Sequence, residues 1–230
     1  MKLKDILKHI LVTAFFVALS AGAVNAQDSD ITEAIVPKQY PAKYTPAYIK
    51  QITPSYKCVG KDEIFYVALD MLKDTSGMFS RNAILGSNLS QRPVQIEFKD
   101  LGQIKADYAS FDALGWKKGK KLYIYINNKH KDAPAGAIAA LLSHEALHQD
   151  EFNSLAEETY AWTMEATVWE EIVKQYPESD DKSSALVKRE NTLKKLLEKG
   201  DHTDIYIKKS VMQNQGYKGL PTYSPGFEKL

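Results

Sequence analysis

Apolar and polar positions change period several times along the chain, and each change marks an element. From Asp62 the residues Ile64, Phe65, Val67, Ala68, Met71 and Leu72 recur on one side of a 3.6-residue period, which predicts an amphipathic helix. A shorter helix is expected over residues 78–85. Residues 94–98 alternate apolar and polar, as a half-buried strand does. Residues 122–126 (Leu-Tyr-Ile-Tyr-Ile) predict a second strand, entered after Gly119 and left at Asn127 and Asn128. Asp132 can cap the next helix, which holds Pro134 in its first turn and runs to about Gln149. Further helices are expected from Ser154 to about Tyr176, ended by Pro177, and from Ser183 to Lys199, stopped by Gly200. The tail from Gly216, with Pro221, Pro225 and Gly226, should be irregular. The pattern is α+β and helix-rich, with a small sheet packed on the helix that ends near Gln149.

Ahead of Asp62 the pattern differs. Residues 27–60 interleave Pro37, Pro41, Pro46 and Pro54 with Tyr40, Tyr44, Tyr48 and Tyr56. Repeated proline blocks helix and central strand alike, so an extended lead-in is expected to wrap a domain spanning residues 61–230. Residues 1–26 have the layout of an export signal: Lys2, Lys4 and Lys8, an apolar stretch over residues 10–23, then Val24-Asn25-Ala26 before the cut. The mature chain is therefore expected to be periplasmic or secreted. The apolar stretch is shorter than the ~20 residues that span a bilayer, so no stable membrane insertion should remain after cleavage.

Composition narrows the functional classes. A chain of 230 residues suits one ordinary domain, and 44% apolar with 26% charged residues is a globular balance. Removing Lys2, Lys4, Asp5 and Lys8 turns the formal charge of +1 into about −1, which leaves no basic excess for nucleic-acid phosphates. Cys58 is the only cysteine, so no intrachain disulfide can form.

The candidate chemistry lies in His144-Glu145-Ala146-Leu147-His148. Two histidines four apart on a helix share a face, close enough for both imidazoles to bind one zinc ion. Glu145 sits about 100° around the same turn, where it can take a proton from an attacking water and pass it to a leaving amine. From Pro134 to His148 the only ionisable side chains are those of the motif, so the helix should be buried. A carboxylate and two imidazoles in such a place are costly unless paired or bound to a cation.

A zinc site needs a third protein ligand. Glu151 shares the histidine face but lies too far along the axis, and the other mature-chain histidines are His130 and His202. The next helix is the better source. Ser154-Leu155-Ala156-Glu157 fits a capping box that would occupy Glu157, leaving Glu158 mid-stripe among Leu155, Ala161, Trp162 and Trp169. If the two helices pair antiparallel, Glu158 lies opposite the motif, with Glu157 the alternative ligand. Glu165, further along the stripe, is a candidate to support a histidine.

His-Glu-Ala-Leu-His followed by a glutamate-bearing helix resembles the gluzincin branch of the zincin metallopeptidases. The resemblance covers residues 121–176, and the pentapeptide is its specific part. It implies one zinc ion held by His144, His148 and a helix glutamate, with Glu145 as general base. Glu158 has a small residue, Ala161, three positions later, as the downstream ligand of that branch often does. The interval from His148 to Glu158 is shorter than in the best-known members. The resemblance also implies a substrate laid along a strand edge, for which residues 122–126 stand in the right place. It further implies an oxyanion donor, with His202, Tyr206, Tyr217 and Tyr223 as candidates. The expected function is zinc-dependent hydrolysis of a peptide or protein substrate by metal-activated water. The alternative is an exported binding module with a structural or vestigial metal site.

Overall fold

The computed structural model describes residues 39–228 apart from Lys120, Gln149 and Glu151. The expected export signal and the first part of the lead-in fall outside the described residues. Among those residues the architecture is α+β: seven α-helices and one three-stranded mixed sheet.

The lead-in departs from expectation. Helix α1 (Pro46–Tyr56) lies inside the segment that its prolines suggested was extended. Pro46 takes the first helical position, where a missing N–H costs nothing, and the Thr45 hydroxyl accepts from the Tyr48 amide at 3.3 Å. Pro54 falls in the last turn, so little helix remains for it to disrupt. The tyrosines converge on one carboxylate instead of wrapping a surface. Tyr44 and Tyr48 donate to Asp70 Oδ2 at 3.2 Å each, and Tyr56 donates to Oδ1 at 3.1 Å. Asp70 belongs to α2 (Glu63–Met71), whose residues from Ile64 onward are all buried. Helix α3 (Met78–Leu85) follows, where the periodicity places it.

Strands β1 (Gln95–Lys99), β2 (Ala113–Lys118) and β3 (Lys121–Asn127) form the sheet in the order β1-β3-β2. β1 runs parallel to β3 with Ile96 opposite Ile124, and β2 runs antiparallel to it with Gly115 opposite Ile124. Gly119, at a φ of +61°, makes the turn between β2 and β3. β2 has no pattern to announce it, because Ala-Leu-Gly-Trp-Lys-Lys neither alternates nor contains a β-branched residue. Its presence corrects the expectation for residues 122–126: that strand is central, with both edges paired, and the sheet's outer edges belong to β1 and β2.

Helix α4 (Ala135–Glu145) carries the first two motif residues, and every one of its residues is buried. It begins one residue after Pro134, with no side-chain cap from Asp132, and it stops at Glu145, short of the expected Gln149. Helices α5 (Leu155–Gln175), α6 (Ala185–Lys199) and α7 (Ile205–Gln213) follow. α5 lies antiparallel to α4: His148 meets Glu157, His144 meets Glu165, and Gly136 meets Ile172. The close approach at the last point needs glycine. A Cβ on Gly136 would lie 2.7 Å from Ser179 Oγ and 2.8 Å from Ile172 Cγ2.

Two effects oppose each other at Gly136. Alanine improves helix propensity by about 0.8–1 kcal/mol, whereas overpacking a tight contact costs about 1–3 kcal/mol. Packing should win. Gly136→Ala is expected to lower the urea unfolding midpoint, and a raised midpoint would show that α4 and α5 separate without cost.

Candidate metal centre

The motif straddles the end of α4. His144 is helical, but beyond it the bonds tighten: Leu147 N donates to His144 O at 2.9 Å and His148 N to Glu145 O at 3.3 Å. These three-residue spacings replace the expected helical turn. The chain must reverse direction between residues 146 and 154, and the His148 ring is held by α5, so the last turn gives way to those tertiary demands.

Each imidazole is fixed through its Nδ1 by a glutamate of α5. His144 Nδ1 lies 3.0 Å from Glu165 Oε2, and His148 Nδ1 lies 2.9 Å from Glu157 Oε1. Carboxylates accept and do not donate, so these bonds place a proton on Nδ1 of both rings and leave the two Nε2 atoms as the positions open to a proton or a metal ion. The two Nε2 atoms lie 3.2 Å apart, within hydrogen-bond distance. Glu158 completes the group, with Oε2 at 3.7 Å from His144 Nε2 and Oε1 at 3.7 Å from His148 Nε2. Asn153 Nδ2 donates to Glu158 Oε1 at 2.6 Å, while Glu158 Oε2 is buried without a hydrogen-bond partner.

These spacings can be compared with what a metal requires. Donors about 2.0–2.2 Å from a tetrahedral zinc ion stand about 3.3–3.6 Å from one another. The separations of 3.2, 3.7 and 3.7 Å are of that size, and one ligand atom from each residue lies within 4.8 Å of the others. His144, His148 and Glu158 therefore form a cluster able to hold one metal ion. The local field favours a cation at the same place. Burial alone would lower the pKa of His148, but the bond to Glu157 and the charges of Glu158 and Glu145 outweigh it and lift it to about 9.

Glu157 takes a different part from the one its spacing suggested. Ser154 Oγ does accept from Glu157 N at 3.1 Å, as an N-cap should, but the Ser154 amide is satisfied by Asn153 Oδ1 at 2.7 Å. The Glu157 carboxylate is thus released from the capping box and given to His148. Glu165 is fully buried beside His144, and Arg189 of α6 pairs with it. Burial would raise Glu165, yet Arg189 first and then His144 hold it at about 2. The same guanidinium reaches Asp112 at 3.0 Å and Glu190 at 2.8 Å. His130, with Asp112 at 2.7 Å, and exposed His202 stand outside the cluster.

The centre opens on a cavity of about 660 Å³ lined by Ala113, Leu114 and Gly115 of β2, by Glu145, and by Trp162 and Tyr217. Gly115 packs directly on the motif: a Cβ there would make ordinary contact with His148 Cβ at 3.4 Å and Glu145 Oε2 at 3.8 Å. Burial is the main cause that raises the Glu145 pKa, helped by Glu158 and Glu165 and opposed by the two histidines. Of the four residues named as oxyanion donors, only Tyr217 lines the cavity. Its hydroxyl oxygen accepts from Trp162 Nε1 at 3.0 Å. Burial, then the charge of Glu158, keeps that phenol protonated far above neutral pH. Asn153, Arg189 and the β2 edge carry no mark in the sequence. Glu165 does, since it lies seven residues after Glu158 on the same stripe.

Arg189 cannot neutralise three carboxylates, and Glu190 is the one that stays protonated: burial and then the charge of Glu165 raise it well above the ordinary range. Unfolded, a glutamate ionises near pH ~4.3, so above that pH the folded chain holds more protons and loses stability as pH rises. Glu190→Gln removes that loss. The stability of the variant relative to the parent should rise with pH above the unfolded glutamate range, at up to about 1.4 kcal/mol per pH unit in denaturant titrations. A difference independent of pH would contradict the assignment.

No protein-family model matches this chain, and neither a curated protein nor a solved structure matches it.

Proposed function

We propose that this chain is an exported zinc metallopeptidase that hydrolyses peptide bonds with Glu145 as general base. The observation carrying this reading is the pair of inward-facing Nε2 atoms, 3.2 Å apart and each 3.7 Å from one oxygen of Glu158, at the wall of a cavity that Glu145 also lines. A cluster that only tied the core together would have no need of an open side. Export is proposed from the basic start and short apolar stretch of residues 1–26.

His144, His148 and Glu158 would hold the ion, while Glu165 and Glu157 keep the two rings turned inward. A bound zinc ion supplies Lewis acidity, which polarises a carbonyl and makes water a competent nucleophile near neutral pH. Glu145 accepts the proton of the attacking water and returns it to the leaving amine. Burial suits it to that role, because raising its pKa brings the protonated and ionised forms closer in free energy. Tyr217, whose oxygen accepts from Trp162 and whose hydroxyl lies beside Glu158, would turn its proton from that carboxylate to the developing oxyanion.

The free edge of β2 supports a peptide as substrate. Asn127 N donates to Asp112 O at 2.9 Å, so by antiparallel alternation the amides and carbonyls of Ala113 and Gly115 turn away from β3. Both residues line the cavity, and an extended backbone could add there as a further strand.

Two substitutions separate the roles. Glu145→Gln should keep zinc and lose about 10²–10⁴-fold in peptide hydrolysis, read with a mixed peptide library by mass spectrometry. Tyr217→Phe should lower kcat by about 10²-fold while zinc affinity stays near that of the parent. Full activity in Glu145→Gln would overturn the mechanism.

A further inference from the structure

The C-terminal tail beyond α7 holds itself down in an unusual way. Between residues 214 and 228 the one buried residue is Ser224, a polar residue, while Tyr217, Leu220 and Phe227 are only partly covered. A tail that needed only to stay attached would bury apolar surface. This one buries a hydroxyl, and its partners are those of the metal centre.

Ser224 Oγ donates to Glu157 Oε2 at 2.8 Å, and Glu157 Oε1 holds His148 Nδ1 at 2.9 Å. Ser224 Oγ also lies 2.9 Å from Ser154 Oγ, the N-cap of α5. One proton per hydroxyl orders the chain: Ser154 donates to Ser224, and Ser224 donates to Glu157. The tail backbone closes the same helix end. Pro221 O and Thr222 O accept from Leu155 N at 2.9 Å and Ala156 N at 3.1 Å. Those are the first two amides of α5, which no carbonyl of the helix itself can reach. Glu157 and Glu158 stand in the same turn, so the tail secures both the helix end that presents them and the rotamer of Glu157.

We infer that Ser224 is a positioning residue for His148, acting through Glu157, and that docking of the tail and occupancy of the metal centre are thermodynamically linked. The inference rests on the metal-site reading above. With the tail docked, Glu157 has one available orientation and fixes the His148 ring with Nε2 inward. With the tail released, Glu157 loses its hydroxyl partner, the α5 amides lose theirs, and the ring loses its fixed acceptor. Linkage is reciprocal, so whatever factor the tail contributes to metal affinity, the metal contributes to tail docking.

The test uses the mature chain and zinc alone. Zinc affinity is measured by competition with a chromophoric chelator for the parent, Ser224→Ala and Ser224→Thr. Hydrogen exchange at the Leu155 and Ala156 amides, which bond to the tail, is followed with and without zinc. Partners that orient metal-binding histidines are worth about 10–100-fold in affinity, and Ser224 stands one bond further out, so Ser224→Ala should bind zinc about tenfold more weakly. Ser224→Thr, which keeps the hydroxyl, should bind like the parent. Zinc should slow exchange at both amides in the parent by a similar factor, and in Ser224→Ala by much less. Equal affinity in the parent and Ser224→Ala, or exchange in the parent that ignores zinc, overturns the coupling while leaving the metal site standing. A parent that binds no zinc overturns the site itself.

Discussion

Two hydrogen bonds, from His144 to Glu165 and from His148 to Glu157, set the chemistry of this protein. Each fixes a ring proton on Nδ1 and so turns an Nε2 lone pair inward. Two Nε2 atoms 3.2 Å apart call for a proton or a metal ion between them, and Glu158 adds an acceptor to the same space. Without a metal ion the arrangement relies on a proton held by His148 among its carboxylates. It persists because α4 and α5 are locked by surroundings that leave the side chains little freedom to turn elsewhere.

The lock is built from small and apolar residues. α4 is buried along its whole length, and Gly136 lets its first turn press against Ile172 and Ser179. At the other end, Gly115 of β2 lies against His148. Arg189 closes the outer layer by holding Glu165 and Asp112 together. Charge on that side is therefore balanced within the protein. The side of Glu157 and Glu158 differs: their ion-pair contacts among the described residues are the histidines themselves. That asymmetry is what leaves a place for a cation on one side of the cluster.

Much of this could be read from the chain, for identifiable reasons. The α4 and α5 helices and the inward stripe bearing Glu158 and Glu165 follow from periodicity, which is set by local geometry. The pairing of His144, His148 and Glu158 follows from spacing on two antiparallel helices. What stayed hidden depends on contacts distant in sequence. β2 lacks any strand pattern and exists because β3 and the motif give it two neighbours. Helix α1 forms despite its prolines because Tyr44, Tyr48 and Tyr56 reach one carboxylate on α2. Ser224 and Tyr217 have no spacing relation to the motif, and a tail rich in proline and glycine gives no hint that it touches Glu157.

The central claim is that these inward acceptors are metal ligands. X-ray absorption at the zinc edge on the purified chain tests it most directly. The account predicts about one zinc ion per chain, with two imidazole nitrogens and oxygen donors in its shell. A chain that retains no zinc after dialysis against a zinc-buffered solution, or whose zinc shell lacks the two imidazoles, would contradict it.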